Sequence, residues 1–191
     1  NSTASGNTID SGANSFNNVT FNGSGGKWKP ITNSMTIAGG LTLTAGTFKG
    51  NGALNVTVNG NIACGASCGA IDMTLNSGTG TFSQTVAAAK NFGTSVAGDT
   101  TSWSFYALSF ATSSTAWTIT TSATPTSPGS ITVTNDLTIG ASLKLYSGGS
   151  TNARNWIFSK PGMPSVNNGH FTGYTSTFTT PIPTHRNQQT P

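Results

Sequence analysis

The sequence predicts an all-β chain, a parallel β-solenoid (β-helix) of short stacked strands, with a β-sandwich as the alternative. Three observations carry this. Apolar residues alternate with polar ones in brief runs, as at Leu41 and Leu43, Val56 and Val58, Ile131 and Val133, and Leu143 and Leu145, and period two marks half-buried strands. Turn formers such as Gly23-Ser24-Gly25-Gly26, Gly39-Gly40, Asn51-Gly52, Asn59-Gly60 and Gly148-Gly149 punctuate these runs, where positive φ is cheap. Finally, one pattern occurs twice. Ser15-Phe16-Asn17-Asn18-Val19-Thr20-Phe21, followed by Trp28, returns as Ser104-Phe105-Tyr106-Ala107-Leu108-Ser109-Phe110, followed by Trp117, with each of Phe16/Phe105, Phe21/Phe110 and Trp28/Trp117 displaced by 89 residues. Self-similarity at a fixed offset is the mark of a stack in which each unit buries its apolar side on its neighbour.

In chain order the strand candidates are 15–21 and 27–31, rich in Phe, Val and Trp; 35–38, 41–44 and 54–58, which alternate Thr or Asn with Ile, Leu and Val; 71–75 and 81–86; 103–110 and 116–120, again aromatic; 131–134, 137–139 and 143–146; then 156–158 and 171–178. Three short strands to a coil give about five coils, a rod roughly 25 Å long at about 4.8 Å per rung. Brevity favours the solenoid, whose coils have several short sides, and Thr and Asn beside the strands suit ladders of like side chains. Helical spacing is almost absent. Val86-Ala87-Ala88-Ala89-Lys90 is the exception, too short to be a stable helix alone.

The organisation read from the sequence is a β-rich repeat domain over 1–180, with units at about 15–58 and 104–158, and a Pro-rich extended tail over 181–191. In the second unit the offset grows from 89 to 96 (Leu41 to Leu137), because Thr121 to Ser130, with Pro125 and Pro128, is longer than its counterpart. Insertions of this kind belong to loops outside the stack. Residues 59–99 continue the stack with coils of different sequence. The chain opens Asn1-Ser2-Thr3-Ala4 without a basic or apolar segment and reads as a mature product or a piece of something larger.

Composition narrows the function classes. Charged residues are 6% of the chain, against roughly 25% in an ordinary soluble domain, and glutamate is absent. The net charge of +4 comes from eight Lys and Arg against four Asp, with no dense basic stripe. Lys27 and Lys29 flank Trp28, but they read as solvated lysines on a sheet edge and not as a nucleic-acid footprint. No apolar run of 18 residues exists, so no membrane span is expected. Cys64 and Cys68 lie in the small-residue loop Ile62-Ala63-Cys64-Gly65-Ala66-Ser67-Cys68-Gly69. A disulfide across this turn is sterically possible and is the favoured reading over half a metal site, since structural zinc needs four ligands and His170 and His185 are remote. It implies an oxidising compartment.

The phrases at 15–23 (SFNNVTFNG), 41–46 (LTLTAG), 55–61 (NVTVNGN), 101–110 (TSWSFYALSF) and 129–140 (GSITVTNDLTIG) resemble the repeats of very large secreted bacterial surface proteins of the β-solenoid or adhesin-like kind. The resemblance covers most of residues 10–160. It implies a cell-surface or extracellular place and a structural or adhesive role, and it carries over no catalytic residue.

The search for chemistry gives no catalytic, cofactor-binding or metal residue. Polysaccharide hydrolysis needs two carboxyl groups across the scissile bond, and the acids are Asp10, Asp72, Asp99 and Asp136, none adjacent in sequence. Asp99 and Asp136 sit in turn contexts that suit backbone capping. The one Gly-x-Ser-x-Gly match, at 65–69, lacks the strand-to-helix setting of a nucleophile elbow. Trp28, Trp103, Trp117 and Trp156 could stack on sugars if exposed, but those in repeat register read as core. Ice or surface binding by flat threonine ladders would need a strict Thr-x-Thr array, which does not persist. The expectation is therefore a non-enzymatic extracellular module, a fibre, stalk or filament subunit. Its partners would be copies of itself or neighbouring repeats joined by strand addition, with surface glycans as the alternative: a carbohydrate-binding module or polysaccharide-acting β-helix protein.

Overall fold

The computed structural model describes residues 2–64, 67–94, 100–112, 116–121, 129–146, 155–160, 165–166 and 170–172. Asp99, His185, residues 122–128 of the Thr121 to Ser130 insertion, residues 173–178 of the last strand candidate and the tail at 181–191 lie outside them. The described residues contain no helix. Their strands follow in order as β1 (Asn7–Ile9), β2 (Ser15–Phe16), β3 (Val19–Pro30), β4 (Met35–Ile37), β5 (Leu41–Lys49), β6 (Val56–Val58), β7 (Ile62–Cys64), β8 (Ala70–Asp72), β9 (Thr81–Val86), β10 (Lys90–Thr94), β11 (Trp103–Thr112), β12 (Trp117–Thr120), β13 (Ile131–Ile139), β14 (Leu143–Tyr146), β15 (Trp156–Phe158), β16 (Ser165–Val166) and β17 (His170–Thr172).

Every pairing between these strands is parallel, which excludes the antiparallel β-sandwich and establishes the β-solenoid. The chain winds through three faces in turn. The first face stacks β1, the end of β3, the end of β5, β8, the start of β11, the start of β13 and β15. The second stacks β2, β4, β6, β9, the end of β11, the end of β13 and β16. The third stacks the start of β3, the start of β5, β7, β10, β12, β14 and β17. Each face is seven strands deep, so the described rod is roughly 34 Å long and not 25 Å.

The sequence-based count fell short for physical reasons. β1 and β10 each offer one apolar residue, and β7 is Ile62 followed by the small Ala63 and Cys64, so none displays alternation. β3, β5, β11 and β13 continue around a corner, so each serves two faces. The segment at 86–90 is no helix: β9 ends at Val86, the chain bends at Ala87 and Ala88, and β10 begins at Lys90.

The 89-residue echo also needs correction. Phe16 lies on the second face and Phe105 on the first; Phe21 lies on the third and Phe110 on the second; Trp28 lies on the first and Trp117 on the third. Matched residues are thus displaced by one face throughout, and their burial differs: Phe16 and Trp117 are half-buried, whereas Phe105 and Phe110 are fully buried. Strands on all three faces obey the same in-out alternation, so two stretches can resemble each other without occupying equivalent positions.

The interior is one continuous apolar column. On the first face Trp28 stacks on Phe48, Phe48 on Ile71, and Ile131 on Trp156. Phe21 fills the space between Trp28 and Phe48, its ring centroid 5.0 Å from each. Further along, Phe92 meets Trp103 and Phe110 edge-to-face at 5.6 and 5.0 Å. Burying each ring stabilises the fold by about 1.5–3 kcal/mol. Gly46, at φ +83°, makes this packing possible where the third face turns into the first, since a Cβ there would meet Gly26 O and the Trp28 ring at 2.5 Å. Among the described residues two polar side chains are fully buried, Gln84 and Thr121. Gln84 lies between Val58 and Phe110, and its Nε2 donates to Gly60 O (2.7 Å) and Asn91 O (3.0 Å). Among the described residues no helix is long and apolar enough to cross a membrane.

Candidate functional site

With the apolar side chains turned inward, the chemistry of the surface is set by the outward residues of each face. On the second face these align into one ladder. Ser15 is in register with Thr36, Thr36 with Thr57, Thr57 with Ser83, Ser83 with Ser109 and Ser109 with Thr138, and the backbone register continues from Thr138 to Ser165. Every rung carries a Ser or Thr at this position. The strands of this face contain no Lys or Arg, and Asp136, at its margin, is paired with Lys160 at 3.1 Å.

Sequence reasoning missed the ladder because coil length varies. The chain runs 21 residues from Ser15 to Thr36 and again to Thr57, 26 to Ser83 and again to Ser109, 29 to Thr138 and 27 to Ser165. No fixed spacing in the sequence reveals it.

The other two faces carry the lysines. Lys27, Lys29 and Lys49 project from the first face, with Lys29 beside Lys49, and Lys49 in turn paired in register with Asp72. The expected edge lysines are therefore face lysines, because the end of β3 that carries them lies between β1 and β5. Lys49 Nζ donates to Ser5 O (3.1 Å), and Lys29 Nζ reaches Asn51 Oδ1 at 3.5 Å.

The described carboxylates are held in local structural roles. Asp10 accepts the Gly12 N–H at 3.0 Å, and this bond holds its carboxyl below the ordinary aspartate range. Asp72 Oδ1 accepts from Thr74 N (3.1 Å) and Thr74 Oγ1 (2.6 Å). Asp136 bonds Lys160 and Asn135 Nδ2. Among the described residues no group of three or more His, Cys, Asp or Glu side chains is placed to hold a metal.

Cys64 and Cys68 are joined in a disulfide, with Cα atoms 4.6 Å apart. It closes the corner between the third and first faces. This corner is tied to the next coil, because Cys68 O accepts from Thr101 Oγ1 (3.2 Å) and Gly69 O from Trp103 Nε1 (3.0 Å). Ser67, centre of the Gly-x-Ser-x-Gly match, donates through Oγ to Thr44 O at 2.7 Å, and a strand follows it. Trp28, Trp103 and Trp156 are buried and Trp117 is half-buried against the core, so no aromatic platform for sugar rings is made from them.

No protein-family model, curated protein or solved structure matches the chain. The resemblance to large secreted surface proteins therefore rests on the repeat phrases alone, and function has to be argued from the faces.

Proposed function

We propose that the chain is a non-enzymatic, extracellular structural or adhesive module, part of a cell-surface fibre, stalk or filament. The observation that carries this is the uncharged Ser/Thr ladder running the depth of the second face. Contact between two such ladders desolvates hydroxyl groups, which can re-pair with one another, and the ladder itself carries no lysine. Contact through the first face would set Lys27, Lys29 and Lys49 against like charges. Axially, β1 and β2 each pair on one side only among the described residues, which leaves backbone groups for strand addition by a neighbouring repeat.

Size sets the strength of the lateral contact. A face roughly 34 Å by 10 Å offers about 340 Å² per partner, well below the ~800 Å² of a standard interface. Single pairs are weak, and adhesion arises when many modules act together. Beads densely coated with the chain should clump. The double variant Thr57→Arg/Ser109→Arg, altered only on outward rungs, should keep them dispersed. Dispersed wild-type beads, or equal clumping by the variant, would remove the lateral reading.

A further inference from the structure

The bend between β9 and β10, together with residues of the two coils before it, lines a solvent-open alcove of about 320 Å³. Its back wall is the outward row next to the Ser/Thr ladder, made by Ala38, Asn59 and Thr85 on successive coils, and its other wall is Ala87, Ala88 and Lys90. The row follows from register: Ile37 pairs with Val58 and Val58 with Gln84, so their neighbours stack in the same order.

The position of Lys90 is unusual for a lysine. It is in register with Ile119, a fully buried core residue of the next coil, so it occupies a place where the other coil has an apolar side chain. It is half-buried and makes no ion pair among the described residues, whereas Lys160 is paired with Asp136. The alcove thus combines a small apolar wall of alanines, an amide, a hydroxyl and one ammonium group.

We propose that this alcove binds a carboxylated sugar, one hexuronic acid unit of an acidic polysaccharide. The volume is at the lower end of small-ligand pockets and admits a single pyranose ring. The carboxylate would meet Lys90 in a charge-assisted hydrogen bond. Ring hydroxyls would meet Asn59 and Thr85, with Thr57 and Ser83 of the ladder beside them for the adjoining sugar. The alanines supply the apolar contact that the core tryptophans cannot. A peptide carboxylate would use Lys90 but would leave the hydroxyl-rich surroundings without partners. This site is independent of the fibre reading.

The test is amide NMR of the full chain titrated with a galacturonic acid trimer, with maltotriose and acetate as controls. The trimer should shift amides at Asn59 and from Thr85 to Lys90. Lys90→Met should weaken binding about tenfold, and Ala88→Trp, which fills the space and keeps the charge, should block it. Lys29→Met, on another face, should leave it unchanged. Urea midpoints of the variants establish that they fold. Unchanged affinity in folded Lys90→Met, equal loss in Lys29→Met, or the same shifts from maltotriose or acetate would overturn the proposal.

Discussion

Replacing Gln84 by leucine tests what a polar side chain does inside an apolar column. The substitution removes two hydrogen bonds, to Gly60 O and Asn91 O, and leaves both carbonyls without that donor. At about 1–1.5 kcal/mol each, this destabilises by roughly 2–3 kcal/mol. In the other direction, Gln84 Oε1 is buried without a hydrogen-bond partner, and leucine removes that group and adds apolar contact with Val58 and Phe110, together about 1 kcal/mol. The net expectation is a loss of about 1–2 kcal/mol, read as a lower urea midpoint by tryptophan fluorescence. Gln84→Glu sharpens the test. Burial would raise the glutamate pKa above its unfolded value, so the variant should be most stable below about pH 4 and lose stability as pH rises through the native pKa. An unchanged or higher midpoint for Gln84→Leu would show that the Nε2 bonds contribute nothing and that Gln84 is only tolerated.

Gly46→Ala should destabilise by about 1–3 kcal/mol, since it combines a left-handed backbone with a collision against Gly26 O and the Trp28 ring, and urea unfolding measures it. Replacing Cys64 and Cys68 together by serine should lower stability by about 2 kcal/mol, the chain-entropy value for so short a loop, and added reductant should then have no further effect on the unfolding midpoint. Asp10 should titrate below the ordinary aspartate value in a carbon-detected pH series. Because its folded pKa is depressed, the stability it contributes is present above the unfolded value and lost as pH falls through the folded one, so Asp10→Asn should differ from wild type at neutral pH and converge with it in acid.

How much of this was legible in the sequence depends on how far each feature reports locally. Leu41, Leu43, Val56, Val58, Ile131, Val133, Leu143 and Leu145, picked out by alternation, are all fully buried. Alternation needs only a strand with one face inward, and that is a local property. The identity of the face is not local. It depends on how many residues each corner absorbs, which is why the Phe16/Phe105 echo pointed to repetition but not to its true period. Gln84 gave no signal, since a glutamine between Ser83 and Thr85 looks like one more surface polar residue. The ladder and the alcove were hidden for the same reason, being assembled from residues 21 to 29 apart whose relation exists only after winding.

Each coil leans only on the one before and the one after. Such a chain should come apart like a zip: disruption of the Trp28–Phe48 stack would loosen its immediate neighbours while Trp156 and Phe158 stayed ordered, and protection from solvent exchange would rise from the outermost coils toward the middle. A tether pulled along its length would then yield in successive small steps, absorbing work rung by rung where a globule would give way at once.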